Sequence, residues 1–406
     1  MTTEPVIQSL PASNSGLYGR TFWLAYLANS VLVMANALTF RFAELVHFLG
    51  GTESVVGDIV ALGTLVAVSL RLSVSHVLDD YGTRVIWPIC SLLFIAGCGM
   101  FLGASHMFWL LYLARVAFFV GLTGMFACSM THIQNHVPPE RRTEIIGNLG
   151  SSGFVGMILG SNLGDWIRHF VTDLQTQFLI LFGGAGLIGI LYLIIVILLT
   201  YDDHVVKRAA SPIAFRLMFR FWPGTVVLAA MTMGLGVTAT QTFLTRYATS
   251  QKIEGIGLFF TGYAISAFVF RLLVQNWSQT IGRHWMLVRG LFGHTIGHFL
   301  LAFVTDGWQF IIPSIICGFG HALLFPAVVS LGSGAFPKER RGAGTAIILG
   351  FTDFGSLVFS PILGRISDRF GFQTMYCVSS SIALFTALGY AYIAIRHEDE
   401  EAQQLR

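Results

Sequence analysis

"RLSVSHVLDDYGTR" at 71–84 and "RLLVQNWSQTIGR" at 271–283 pose the same conflict. Each opens with an arginine directly behind an apolar run, "IVALGTLVAVSL" before Arg71 and "LFFTGYAISAFVF" before Arg271. A permanent charge near the middle of a bilayer costs about 2.5–3.5 kcal/mol on insertion scales, so each arginine must face protein and find a partner. Two such residues at matched places imply a repeated arrangement that holds them.

The rest of the chain shows what surrounds the pair. Of 406 residues, 54% are hydrophobic and 11% charged, with mean hydropathy +0.70. Soluble domains carry roughly 25% charged residues, so this chain is solvated by lipid. A net charge of +3 is too small to suggest nucleic acid as a partner. Apolar runs of about 20 residues recur, each long enough for a helix to cross roughly 30 Å of hydrocarbon. The predicted spans are 21–48, 55–78, 85–103, 108–132, 144–164, 178–200, 222–247, 257–279, 284–304, 309–333, 343–364 and 373–395. This is an all-α integral membrane protein of twelve transmembrane helices. Connections are short except "YDDHVVKRAASPIAFRLMFR" at 201–220. The expected organisation is a cytoplasmic segment 1–20, a six-helix half 21–200, a linker 201–221, a second half 222–395 and a tail 396–406.

Basic residues orient the bundle. With both termini inside, the cytoplasmic segments hold Arg20, Arg84, Arg141, Arg142, Lys207, Arg208, Arg216, Arg220, Arg283, Lys338, Arg340, Arg341, Arg396 and Arg406. The other side holds Arg168, Lys252, Arg365 and Arg369. That bias follows the positive-inside rule and puts both termini in the cytoplasm. The polar start "MTTEPVIQSLPASNSGLYGR" lacks a basic n-region, so the first span is expected to be retained rather than cleaved. All five cysteines fall inside apolar runs, as buried small residues do, and no disulfide framework is expected.

The halves match in letters as well as hydropathy. Gly57, Ala67, Arg71, Leu72, Val74 and Gly82 pair with Gly257, Ala267, Arg271, Leu272, Val274 and Gly282. "PPERR" at 138–142 pairs with "PKERR" at 337–341, and Gly156 stands opposite Gly355. Repeated halves are the architecture of many secondary transporters, with the substrate site between them near the midplane.

Together these features resemble the major facilitator superfamily over nearly the whole chain, most specifically at 318–371, which looks like spans ten and eleven of its bacterial drug- and sugar-efflux members. The family's loop signature between spans two and three is G-x-x-x-D-R-x-G-R followed by R or K. Asp79, Gly82 and Arg84 match it, whereas Ser75, Asp80 and Thr83 depart from it. The second copy keeps Gly282 and Arg283 but has Gln275 and Gln279. These positions are assigned to gating. "GRISDRFG" at 364–371 spells the signature best, but the topology puts it on the outer face, where it reads as a short charged turn. In span five, Gly147, Gly156, Gly160 and Gly164 fall on the family's antiporter spacing with Ser161 in place of its proline. Close helix packing accounts for the same glycines.

The resemblance also implies that span two packs on span eleven, and span eleven contains Asp353. Arg71 is therefore expected to pair with Asp353 across the seam between the halves, either as a gate coupled to a proton or as a static packing pair. Arg271 is its symmetry mate between spans eight and five. The position matching Asp353 there is Phe154, which leaves Glu144, Ser151 or Ser152 as candidate partners. In the family, spans one, four, seven and ten line the cavity. They supply Asn36, Arg41, Arg115, Gln241, Arg246 and His321 as candidate substrate-path residues, with Glu44 beside Asp353 as a candidate proton carrier. Arg41, Arg115 and Arg246 lie toward the outer side, as an anion-attracting vestibule or as structural ion pairs with Glu44 and Asp58. His321 reads as a packing histidine or a proton carrier. His294 with His298 and His132 with His136 have zinc-compatible spacing, but no carboxylate or thiolate stands near them in sequence, and no metal is expected.

The expected function is secondary transport by alternating access: proton-coupled efflux of a small amphipathic compound by a monomer in a bacterial inner membrane. No GxxxxGK(S/T) motif or cofactor signature is present. The alternatives are a proton-coupled importer of an organic anion and a transporter-like ligand sensor. An enzyme is not expected, because no nucleophile–base constellation stands out.

Overall fold

The computed structural model describes residues 19–105, 108–137, 142–201, 214–274, 277–337 and 340–404. Arg141, Lys207, Arg208, Gln275, Lys338, Arg406 and most of the two ERR loops lie outside them, as do the side chains of Ser75, Asp79, Arg142, Glu144, Gly147, Arg216 and Gln279. Every described regular element is a helix. In the N-terminal half these are α1 (Arg20–Phe48), α2 (Glu53–Tyr81), α3 (Thr83–Leu102), α4 (Trp109–His136), α5 (Arg142–Phe170) and α6 (Leu174–Leu199). The C-terminal half holds α7 (Val226–Thr242 with Leu244–Ser250), α8 (Gly257–Leu273), α9 (Arg283–Leu301) and α10 (Ile311–Gly334). The last helix, Arg341–Gln404, is broken at Gly371 into α11 (341–370) and α12 (372–404).

Among the described residues, seven helices are long and apolar enough to cross a membrane, or eight if the bent α7 pair is one span. The remaining expected spans are present as helices that fall short of that test. α8 has 17 residues, while α5 and α9 carry polar residues that face neighbouring helices. Lipid is the solvent of the outer surface: α6 leaves Leu187, Ile190, Leu191, Ile194, Ile197 and Leu198 exposed. Such a belt would be an aggregation surface in water. Backbone groups inside hydrocarbon must be satisfied within each segment, which is why helices alone fill this layer.

Two breaks fall at related places in the halves. α1 tightens into a 3₁₀ turn at Thr39–Arg41, and α7 widens into a π turn at Thr238–Thr242 with a 43° bend. Such interruptions free backbone groups and re-aim side chains, and they concentrate at functional sites. Outside the spans, Asp173 caps α6 by accepting from Thr176 N at 2.8 Å, and the bonds from Thr176 hold its carboxyl below the usual value.

Pseudo-symmetry is visible in the packing. A Cβ at Gly156 would sit 2.3 Å from Ser30 O on α1, and one at Gly355 would sit 2.2 Å from Met231 O on α7. The glycines therefore let α5 touch α1 and α11 touch α7 backbone to backbone. Gly160 makes the same approach to Met34 O, so packing explains two of the four antiporter-spaced glycines directly. Between the halves, α2 packs on α11 and α5 on α8.

Candidate functional site

The end of the bundle that carries the 49–52, 171–173 and 251–256 turns is called distal here, and the end with the chain termini terminal. Arg41 is placed by the 3₁₀ turn of α1 and is 5% exposed. Its Nη1 donates to Glu44 Oε1 at 2.7 Å and its Nη2 to Asp165 Oδ1 of α5 at 2.6 Å. Asp165 also accepts from Gly257 N at the start of α8, 2.7 Å away, which ties the two halves together. Arg168 reaches Glu44 Oε2 at 3.2 Å and Thr249 Oγ1 at 2.6 Å. Arg246 Nε lies 2.9 Å from Glu53 Oε1, as a charge contact rather than an aligned hydrogen bond. Its Nη2 lies 3.0 Å from His47 Nε2. A guanidinium only donates, so this nitrogen of His47 accepts and the proton sits on Nδ1. Asn162 donates to Thr261 and Thr245 to Phe40 O, again across the halves. Arg41 and Arg246 are thus ion-paired within the distal closure. Glu44 serves Arg41 as one sequence alternative had it, but Asp58 serves Arg365 instead, at 3.1 Å.

"GRISDRFG" is more than a charged turn. Asp368 accepts from Glu53 N at 2.9 Å, Ser54 N at 2.8 Å and Ser54 Oγ, capping the start of α2 from the opposite half. Arg365 bridges to Asp58 on the same helix. The closing glycine repeats the other two turns of this pattern: Gly82, Gly282 and Gly371 have φ of 74°, 79° and 83°. In that region a Cβ meets the backbone, so glycine is the residue that lets one helix stop and the next begin. Letters that signal a latch at one end of the bundle build one at the other. Removing the cap in Asp368→Ala is expected to weaken the distal-closed state by about 1–2 kcal/mol. Spin labels at positions 48 and 251 would then report an added long-distance population, and an unchanged distribution would count against the latch.

At the terminal end the described residues show one contact of this kind. Between described residues, the hydrogen bonds and ion pairs that join the halves all lie distally except one: Arg71 Nε is 2.9 Å from Asp353 Oδ2. These side chains are 25% and 31% exposed, so the contact borders open space. Its symmetry mate is different. Arg271 has no ion pair among the described residues; its guanidinium lies 5.8 Å from the Phe154 ring and 5.7 Å from the Phe325 ring. Ser151 and Ser152 are engaged elsewhere, with Tyr26 and Asn29. Arg84 is exposed, and Arg283 reaches Ser330 at 3.2 Å.

The remaining path residues fall into separate environments. Arg115 is 7% exposed and packed against Phe42, Phe118 and Phe119, with Nε and Nη1 lacking a hydrogen-bond partner. Asn36 is half-buried on α1. Gln241 and His321 line a small cavity walled by the C-terminal half and by Met157 of α5, together with His294, His298 and Tyr263. About 20 Å³ of it is open to water centres, enough for one or two water molecules. Both ring nitrogens of His294 and Nε2 of His298 are without a protein partner, while His298 Nδ1 meets Ser379 Oγ at 2.8 Å. This histidine chamber was not legible from spacing, because α9 is not among the cavity-lining spans that the resemblance implies. Among the described residues no group of three His, Cys, Asp or Glu side chains is arranged to hold a metal ion.

The Major Facilitator Superfamily model matches residues 21–255 and again 222–405. The chain belongs to that superfamily. The uncharacterized MFS-type transporter YhhS of Escherichia coli (strain K12) is 27% identical over 234 residues, 57% of this chain and 55% of that protein. YhhS of Salmonella typhimurium is 25% identical over 197 residues, 48% of each. The chain thus spans about half the length of the curated relatives it matches. Among solved structures, a variant of the nucleoside transporter NupG superposes with TM-score 0.77 at 13% identity, covering 92% of this chain and 99% of that one. A bacterial homologue of the human lysosomal transporter Spinster, in an inward-facing and occupied conformation, gives 0.71 at 14% identity, covering 92% and 96%. At such identities the likeness is one of fold. The superfamily is one of integral membrane transporters rather than enzymes, and in transporters built from repeated halves the substrate site lies between the halves near the midplane.

Proposed function

We propose that this protein exports a small amphipathic organic compound against proton entry by alternating access, as a monomer. In this reading the terminal end faces the cytoplasm of a bacterial inner membrane, and the halves 21–200 and 222–395 rock about the linker 201–221. The observation that carries it is the unequal closure. The distal end is sealed by a network of charge and cap contacts, while the terminal seam has the Arg71–Asp353 pair on the edge of open space. With the distal end closed and, among the described residues, one charge pair across the terminal seam, the bundle is poised to admit substrate from the terminal side.

Coupling rests on Asp353, which has a single ionic partner. Protonating it removes the charge that Arg71 holds and frees the seam. Glu44, clamped between Arg41 and Arg168, belongs to the distal closure instead. Asp79, Gly82, Arg84, Gly282 and Arg283 mark the terminal turns that move with the seam. Phe154, Phe325, Phe40 and Phe260 make the route apolar, which favours amphipathic substrates over sugars.

Proton movement in energised inside-out vesicles tests the reading, with lipophilic cations, neutral drugs and organic anions added in turn. A protein-dependent collapse of the pH gradient by one class supports antiport. Asp353→Asn should cut that response at least about 10-fold, one pair's worth of 1.4 kcal/mol, while leaving gradient-free substrate exchange intact. An Asp353→Asn protein with full proton-coupled transport would sink the coupling assignment. Ligand binding without flux would favour a sensor. Uptake of an anion with proton entry would favour the importer, a second reading supported by Arg271, which has no ion pair among the described residues.

A further inference from the structure

The two seams that hold the halves together are related by the internal symmetry, yet among the described residues only the α2–α11 arginine has a carboxylate partner. Gly156 and Gly355 occupy equivalent packing positions against α1 and α7, so Phe154 on α5 stands where Asp353 stands on α11. Arg71 on α2 has its carboxylate at 2.9 Å. Arg271 on α8 has a benzene ring in the same place. Phe325 of α10 closes the other flank, and Gly150 of α5 lies beside the guanidinium, where a Cβ would be in ordinary contact with Nη1 at 3.6 Å. The titratable neighbours that feel this charge are Tyr263 and His321, neither of which supplies an anion in its ordinary neutral form.

Ring faces attract a cation, but they accept none of the five guanidinium N–H bonds in the plane of the fork. What fits a planar fork is a planar two-oxygen anion, held by two parallel charge-assisted hydrogen bonds. The Phe154 and Phe325 rings that flank the fork suit a ligand with an apolar, preferably aromatic, body. We propose that Arg271 is a substrate-binding residue for an organic monocarboxylate with an aromatic body, whose carboxylate takes the place in the α5–α8 seam that Asp353 fills in the α2–α11 seam. This deepens the transport reading and rests on it: substrate completes the second seam, so occupancy and closure of the terminal end become one event.

The test is equilibrium binding to purified protein without any gradient. The probes are 2-naphthoate, 2-naphthalenesulfonate and the neutral 2-naphthamide, matched in body and differing in head group. The intact protein should prefer naphthoate over naphthamide by at least about 10-fold, the difference a fork-held carboxylate makes. The sulfonate, which is not planar, should fall between. Arg271→Gln should reduce the preference below about 2-fold. Phe154→Asp should do the same by another route, because it supplies a carboxylate to Arg271 from within the protein; the readout is the naphthoate-to-naphthamide ratio, since loss of the ring weakens both probes alike. That second variant keeps the question answerable if Arg271→Gln fails to fold.

Equal binding of naphthoate and naphthamide, or a preference that survives both substitutions, overturns the assignment even if vesicles transport neutral amphipaths. A carboxylate preference abolished by both substitutions upholds it even if no flux is found, in which case the transport reading alone fails.

Discussion

Replacing Arg41 by glutamine is expected to cost the folded protein about 3–5 kcal/mol, the typical effect of removing one partner from a buried ion pair. Among the described residues Arg41 is the cation in contact with Asp165 Oδ1, at 2.6 Å, and the nearer of two on Glu44, at 2.7 Å. Its loss leaves two carboxylates at 8% and 20% side-chain exposure with too little opposing charge. The unfolding midpoint in detergent should fall by several degrees. Adding Asp165→Asn should recover part of the loss, since an amide is far cheaper to bury than an unpaired carboxylate. A midpoint unchanged by Arg41→Gln would mean that the network is solvated and that the distal end is not closed as described.

Gly57→Val should have an effect of comparable size on conformation rather than on folding. A Cβ at Gly57 would lie 2.3 Å from Ser360 O and 2.9 Å from Pro361 Cα, and one at Gly364 would lie 2.3 Å from Glu53 O. Backbone cannot give way as a flexible side chain can, so the α2–α11 crossing must separate. Overpacking of this kind costs about 1–3 kcal/mol, which shifts a two-state equilibrium roughly 5- to 150-fold toward the distal-open form. Labels at 48 and 251 should then report mostly long distances, and turnover in vesicles should fall in proportion. Normal turnover with an unshifted distance distribution would remove the close crossing from the gating argument.

These two residues illustrate different degrees of legibility. Arg41 is visible in sequence as a charge inside an apolar run, so a partner could be demanded of it, and Glu44 lies one helical turn away. Its second partner, Asp165, is 124 positions distant. Gly57 is visible as half of a repeat, but a glycine by itself does not say whether it serves a turn, a helix contact or the gap between halves.

Hydropathy and the repeated letters determine the helices, their order and the pairing of Arg71 with Arg271, because hydrocarbon permits one kind of backbone and penalises every unshared charge. The cost of an unshared charge demands a partner for Arg71, and the family resemblance, which implies that span two packs on span eleven, is what leads to Asp353. Tertiary structure decided what lies outside such single-residue arithmetic. "GRISDRFG" is a cap on a helix from the other half, which depends on where α11 ends relative to α2. The three histidines share a chamber because α9 and α10 pack together through glycines at 290, 293 and 320. Arg271 has no carboxylate among the described residues and meets Phe154, which symmetry brings to it, and a sequence shows that a charge needs a partner without showing which neighbour the fold delivers.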